Sequence, residues 1–373
     1  MRIYYVLFLT LFFCTLTFSQ EVTYKPGDGV QIYNLEQQWK LSLLGYIQST
    51  YTVHSLNQNN SISNSFYIER ARWDMIFNYK DKYQIFFELD GAPNRTALVL
   101  AQLDISYLKN HKIEVGKFIV PFSPENNRSS RDLSTVERYS ALNSMFLLPA
   151  FDSQYGIMFY GSFKPINYYF SITNGNAEAA ANFPENNSSK DFEFRLEYNG
   201  LRNFKFGGSL DYTSEKKQTL SLLDHTFESF NNANVNGKRI GYLGNWEYSR
   251  KKFLFRGEFF QFSFLDNLSL ENQVERFSGG YVELGYFLRG NKTNGVQLIG
   301  RFENAQYNGK LYELYGPNSL SSYIIGTNWY RDAIFRLQVN LVYEDANQNS
   351  LLTNRFEGKN SEFELLTMLQ LKF

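Results

Sequence analysis

Arginine is the side chain whose placement most narrows the chemistry open to this sequence. Arg70 and Arg72 lie two apart in an alternating run, so a strand would put both guanidinium groups on one face. Lys117 precedes a Ser/Asn/Arg-rich stretch that carries Arg128, Arg131 and Arg138. A guanidinium donates two parallel hydrogen bonds and keeps its charge, which suits oxyanions. Carboxylates answer these cations. Glu88 and Asp90, on the next alternating run, are natural partners for Arg70 and Arg72, while Arg131-Asp132 and Glu137-Arg138 are adjacent pairs of opposite sign. Two readings stand side by side: a positive constriction that binds small anions, and a set of braces in which each arginine holds a carboxylate.

Other chemistries find little support. His54, His111 and His225 are the three histidines, and the first two fall at opposite ends of their runs, so they cannot share a site. No Gly-x-Ser-x-Gly, phosphate-loop or His-Glu-x-x-His pattern occurs. The one cysteine, Cys14, sits in the leader, so the mature chain offers no thiol nucleophile, disulfide or thiolate ligand. We expect no enzyme, no metal site and no cofactor. Lys plus Arg equals Asp plus Glu at 37 each, so nucleic acid is not an expected partner.

The elements that must position these residues read as strands. Trp39, Leu41, Leu43, Gly45, Ile47, Ser49, Tyr51 and Val53 alternate with mostly polar neighbours, a period of two kept far beyond ordinary strand length. Similar runs recur to the carboxyl end, about sixteen in all, joined alternately by tight turns and long loops. Aromatics make 18% of the chain without any long apolar run after the leader, as expected where apolar residues occupy every second position facing lipid. Residues 1–19, with one early Arg and a short apolar run, read as a secretory signal. Residues 20–36 read as an irregular periplasmic lead-in and 37–373 as one barrel domain, its last strand ending on Phe373.

One stretch breaks the pattern. Between the runs at 113–120 and 153–163, Pro121 and Pro124 stop the ladder, and some thirty residues cannot be strand. Its charged part is followed by an apolar patch, Met145 to Phe151, which water would leave expensively exposed. We expect residues 122–153 to fold into the lumen with that patch against the wall.

This insert and the strands before it resemble the phosphate-selective porins O and P. The resemblance rests on Glu69-Arg70-Ala71-Arg72, Val115-Gly116-Lys117-Phe118, Pro121-Phe122-Ser123, Ser129 to Leu133, Val136-Glu137-Arg138 and Tyr155-Gly156-Ile157. It departs at Glu69, commonly basic in that family, and at Ile119, where the family carries a lysine. It implies an inward third loop whose cations guide phosphate, and a homotrimer. The combined expectation is an all-β, transmembrane antiparallel barrel of about sixteen strands in the outer membrane of a Gram-negative-type bacterium, surrounded by lipid. It would pass small hydrophilic solutes, with anion or phosphate preference left open, through Arg70, Arg72, Lys117, Arg128, Arg131 and Arg138, with Glu88 and Asp90 as acidic partners. The alternative is a closed barrel acting through its long loops.

Overall fold

A computed structural model of the chain describes residues 20–54, 63–92, 97–144, 149–175, 189–220, 233–266, 274–308, 318–346 and 361–373. The expected signal segment and Met145 to Leu148 of the apolar patch lie outside the described residues.

Two short strands, β1 (Glu21–Lys25) and β2 (Gly29–Asn34), precede the ring. Its first half is β3 (Trp39–His54), β4 (Ser63–Tyr79), β5 (Tyr83–Asp90), β6 (Ala97–Leu108), β7 (His111–Ile119), β8 (Ser153–Phe163), β9 (Ile166–Thr173) and β10 (Asp191–Leu201). The second half is β11 (Phe204–Leu220), β12 (Ala233–Arg250), β13 (Phe253–Asp266), β14 (Val274–Asn291), β15 (Asn294–Asn308), β16 (Asn318–Tyr330), β17 (Phe335–Ala346) and β18 (Ser361–Lys372). Each pairs antiparallel with its sequence neighbours, and β18 returns to β3, with Leu365 opposite Val53 and Lys372 opposite Tyr46. The sixteen strands β3 to β18 thus form the closed antiparallel barrel expected from the alternation. Closure leaves no open edge where lipid would strand unpaired N–H and C=O groups.

The faces are inverted relative to a water-soluble protein. Trp73, Phe87, Leu103, Leu196, Leu210, Leu284 and Leu341 point outward and exposed, while Gln48, Thr50, Asp74, Glu88 and Asp104 are buried inside. Tight turns join the strands at one end, marked by positive φ at Asp81, Asn110, Asn203 and Lys251. Long connections lie at the other.

The lead-in is not irregular. β18 ends at Lys372, so β3 below Tyr46 would be left with a free edge; β2 covers it from Val30 opposite Leu43 to Asn34 opposite Trp39, and β1 covers β2. A hairpin this short shows no period in sequence. Its tip is pressed onto the turn between β16 and β17: a Cβ at Gly27, whose φ is +80°, would come 2.5 Å from the Ala333 carbonyl oxygen.

The insert after β7 lies inside the ring. Ser123 caps a short helix, α1 (Pro124–Asn127), by accepting from the Asn126 N–H, with Pro124 at the position where a missing N–H costs nothing. A 3-10 turn at Ser130–Asp132, helix α2 (Ser140–Ser144) and a second 3-10 turn at Pro149–Phe151 complete it. Val120, Phe122, Tyr139, Ala141, Leu142, Ala150 and Phe151 form one buried cluster with Phe260, Phe262, Phe277 and Leu320 of the wall. The rings of Phe122 and Phe262, and of Phe151 and Phe260, are 5.0 Å apart. Gly279 makes room for α2, since a Cβ there would meet the Ala141 Cβ at 2.4 Å.

Candidate functional site

The insert is held by charge as well as by apolar packing. Glu125, on α1 and fully buried, accepts from Arg301 at 3.0 Å and from the Tyr281 hydroxyl at 3.1 Å. Burial alone would raise its pKa, but Arg301, Arg256, Arg128 and Arg138 outweigh that and hold the carboxyl well below the ordinary range. Glu258 of β13 receives Ser123 Oγ at 2.5 Å, the Glu125 N–H at 3.1 Å and the Tyr139 hydroxyl at 2.7 Å. Further along, Arg256 Nη2 donates to Ser134 Oγ and Arg301 Nη1 to Thr135 Oγ1. Arg336 donates to the Leu133 carbonyl at 2.7 Å, and the Val136 N–H donates to Asn340 Oδ1 at 2.7 Å. Residues 133–136 therefore span the wall from β13 to β17, in the half of the lumen nearer the short turns.

Arg70, Arg72 and Asp74 share the inner face of β4, as period two requires, although a bulge beside Gln48 leaves Glu69 without a cross-strand partner. Arg72 sits between the two carboxylates expected for it, 2.5 Å from Glu88 and 3.0 Å from Asp90. Arg70 turns elsewhere, 3.2 Å from Gln48 Oε1 and 3.2 Å from Glu69, with Glu137 of the insert at 3.9 Å. Arg131 faces the same strip from the insert, its closest carboxylates Asp74 and Asp132 both at 3.8 Å, and its side chain is 29% exposed. Arg70, Arg72 and Arg131 are thus brought to one strip of β4.

Of the other three candidates, Arg128 and Lys117 lie apart from that strip, whereas Arg138 is near enough to Arg70 and Arg72 for their charges to act on it. Arg128 points to the far side of the insert, 3.1 Å from Glu247 and 3.5 Å from Glu125. Arg138 is folded back on its own segment, donating to the carbonyl of Arg128 at 2.8 Å and to Ser130 Oγ at 3.4 Å. Burial, then Arg70, lowers its guanidinium to about 10, which leaves it charged at neutral pH. Lys117 pairs across the sheet with Ala101 and Tyr155, at the parity of the outward Val115 and Ile157, but is itself buried at 6% exposure. Its ammonium donates to the Leu98 carbonyl at 3.0 Å and lies 5.9 Å from the Tyr155 ring centre.

Sequence reasoning missed the anchor Glu125 and a cavity of about 240 Å³ at the turn end of the lumen. Lys25 at the end of β1, Arg131 from the insert, Lys292 from the β14–β15 turn, Arg336 and Lys372 line it, against Asp28, Asp132 and Asp332. Five cations facing three carboxylates leave this mouth positive, whereas the wall around Arg72 is acid-rich. The one available signal was the placement of Lys292 in a tight turn and Lys372 at the end of the last strand.

Comparison with known proteins gives a consistent picture. The chain matches the family described as phosphate-selective porin O and P over residues 43–373. A search of curated proteins finds no match. Among solved structures, an anion-selective porin from Comamonas acidovorans superposes with a TM-score of 0.63 at 10% identity, covering 90% of this chain and 100% of that one. OmpT of Vibrio cholerae in a trimer form gives 0.62 at 10% identity, covering 90% and 99%, and Salmonella typhi OmpF in complex with daunomycin gives 0.62 at 12%, covering 92% and 100%.

Proposed function

Because the chain belongs to the phosphate-selective porin O and P family and is therefore an outer-membrane porin, we propose that it passes small hydrophilic solutes with a preference for anions, phosphate among them. The observation that carries this reading is the positive mouth built from Lys25, Arg131, Lys292, Arg336 and Lys372. With the short turns on the periplasmic side, as in outer-membrane barrels generally, this mouth is the periplasmic exit. Fixed charge in a narrow lumen acts strongly on a passing ion, and rings of Arg or Lys are the usual device of anion pores.

Within the constriction the candidate roles divide. Arg131, whose nearest carboxylates are beyond hydrogen-bond range, presents charge to the lumen; Arg70 is buried against Glu69 and Gln48; Arg72 with Glu88 and Asp90 braces the β4–β5 wall; Arg128 and Arg138 hold the insert. Lys117, buried against the Leu98 carbonyl and the Tyr155 ring, is assigned to bracing the wall. We further propose a homotrimer embedded in outer-membrane lipid, a reading supported by the trimer form of the Vibrio cholerae neighbour, and secretion by the leader 1–19. The test is the reversal potential of the purified protein in planar bilayers under a potassium chloride gradient. An anion-directed potential that falls when Arg131 and Lys292 are changed to glutamine is expected; a cation-directed potential in the unaltered protein overturns the preference.

A further inference from the structure

Seven short turns close one end of the ring, the first joining β4 to β5 and the last β16 to β17. Between their bounding strands they hold nine Lys or Arg, all exposed, and two acids, Asp81 and Asp332. Every turn contributes at least one of the nine. The seven long connections apart from the insert, counted the same way, hold five bases and seven acids. The positive charge therefore belongs to one end of the molecule. Tight turns favour Gly, Asn and Asp, yet Lys80 and Lys251 both sit at φ +51°, where those residues fit more easily.

Two features of this rim select its partner. The first is that it is a ring and not a patch. In an antiparallel barrel a short turn follows every second strand, so the charges meet whatever surrounds the barrel on all sides. A protein partner covers one patch, whereas a lipid leaflet touches the whole circumference. The second is that the charges border the outward apolar belt. Lys80 Nζ lies 5.0 Å from the centre of the Tyr79 ring, which stacks on Tyr83 across the turn. Lys164 follows the exposed Phe163, Arg202 follows the exposed Leu201, and Arg331 comes two residues after the exposed Trp329. Long cationic side chains at the end of a lipid-facing apolar surface reach the headgroup plane, where the group of opposite sign is the lipid phosphate.

We propose that the turn end of the barrel is a collar that binds the anionic phospholipid headgroups of the leaflet around it, with Lys80, Lys109, Lys164, Arg202, Lys251 and Arg331 as its phosphate contacts. Lys292 is set apart, since it lines the positive mouth. The collar fixes the depth of the barrel in the membrane at that leaflet. It rests on the barrel spanning a lipid bilayer and not on which solutes cross the lumen.

Spin-labelled lipids are the probe, with the full barrel reconstituted in phosphatidylcholine bilayers. A phosphatidylglycerol label should associate with the protein roughly two- to fivefold more strongly than a phosphatidylcholine label of the same chains. Potassium chloride at about 1 M, where the screening length falls to about 3 Å, should remove most of that difference. A variant carrying Lys80→Gln, Lys164→Gln, Arg202→Gln and Lys251→Gln together should lose at least half of it while its conductance stays unchanged. Should that variant fail to fold, the salt series on the unaltered protein still decides. Equal association of the two labels, a preference that survives high salt, or one unchanged in the folded variant would each overturn the collar. Displacement of the phosphatidylglycerol label by inorganic phosphate, but not by chloride at equal ionic strength, would also overturn it and make the rim a site for free phosphate. Absence of any channel events would count against the porin reading instead, and the label experiment would still decide the collar.

Discussion

Replacing Glu125 with alanine should loosen the insert without unfolding the barrel. The carboxylate is fully buried, 3.0 Å from Arg301 and 3.1 Å from the Tyr281 hydroxyl, and its removal leaves guanidinium charge without its partner. Breaking a buried ion pair from one side costs roughly 3–5 kcal/mol. Arg301 keeps Glu303 at 3.1 Å and Glu283 at 3.5 Å, which places the cost near the lower end, about 3 kcal/mol, or roughly a hundredfold in the docking equilibrium. The apolar side of the docking survives, because Phe122, Leu142 and Phe151 stay buried at about 1.5–3 kcal/mol each. The expected phenotype is therefore brief excursions to a wider pore rather than a permanently open one. Single-channel recording should reveal a new upper conductance level in Glu125→Ala, dominant once Phe151→Ala is added. If the amplitude histograms of both variants match that of the unaltered protein while the barrel is folded, the Glu125 network does not hold the insert in place.

Further outcomes follow from the same geometry. Partial burial, its side chain being 31% exposed, and then the charge of Glu69 raise Glu137 of the insert to about 7 from an ordinary 4.5. The docked insert then binds more protons than a released one, so docking is strongest in acid and weakens as pH rises through about 4.5 to 7. Open-channel noise should grow over that range, and Glu137→Gln should flatten the profile; a profile unaltered by the substitution sinks the assignment. Gly27→Val, at φ +80° and 2.5 Å from the Ala333 carbonyl, should cost about 1–3 kcal/mol and lower the temperature at which the barrel loses its compact electrophoretic mobility. An equal melting temperature would show that the hairpin tip is not seated on that turn. Gly279→Leu should displace α2 through Ala141 and raise conductance, and a conductance equal to that of the unaltered channel would place α2 elsewhere.

Much of this molecule is written locally. Period-two alternation, tight turns set against long loops, and two prolines that end β7 are properties of adjacent residues, and they were sufficient for the closed barrel; the inward third loop was expected from its apolar patch and from the family resemblance. The Arg72–Glu88–Asp90 brace was legible for the same reason, since β4 and β5 are joined by a tight turn and their register follows from it. Even the outward parity of Lys117 was present in the alternation from Val115, but a motif drew attention to its charge instead. Tertiary structure decided the rest. Glu125 meets Arg301 across 176 positions of sequence, and Lys25 and the Lys292 turn share a cavity with Arg131 only because the ring closes and the insert crosses it. Whether an arginine in the insert faces the lumen, as Arg131 does, or turns back on its own carbonyls, as Arg138 does, depends on the path of an irregular backbone. That path has no period to read; it is set by which wall offers Phe260, Phe262 and the glutamates to dock against, and those contacts exist only after sixteen strands have closed.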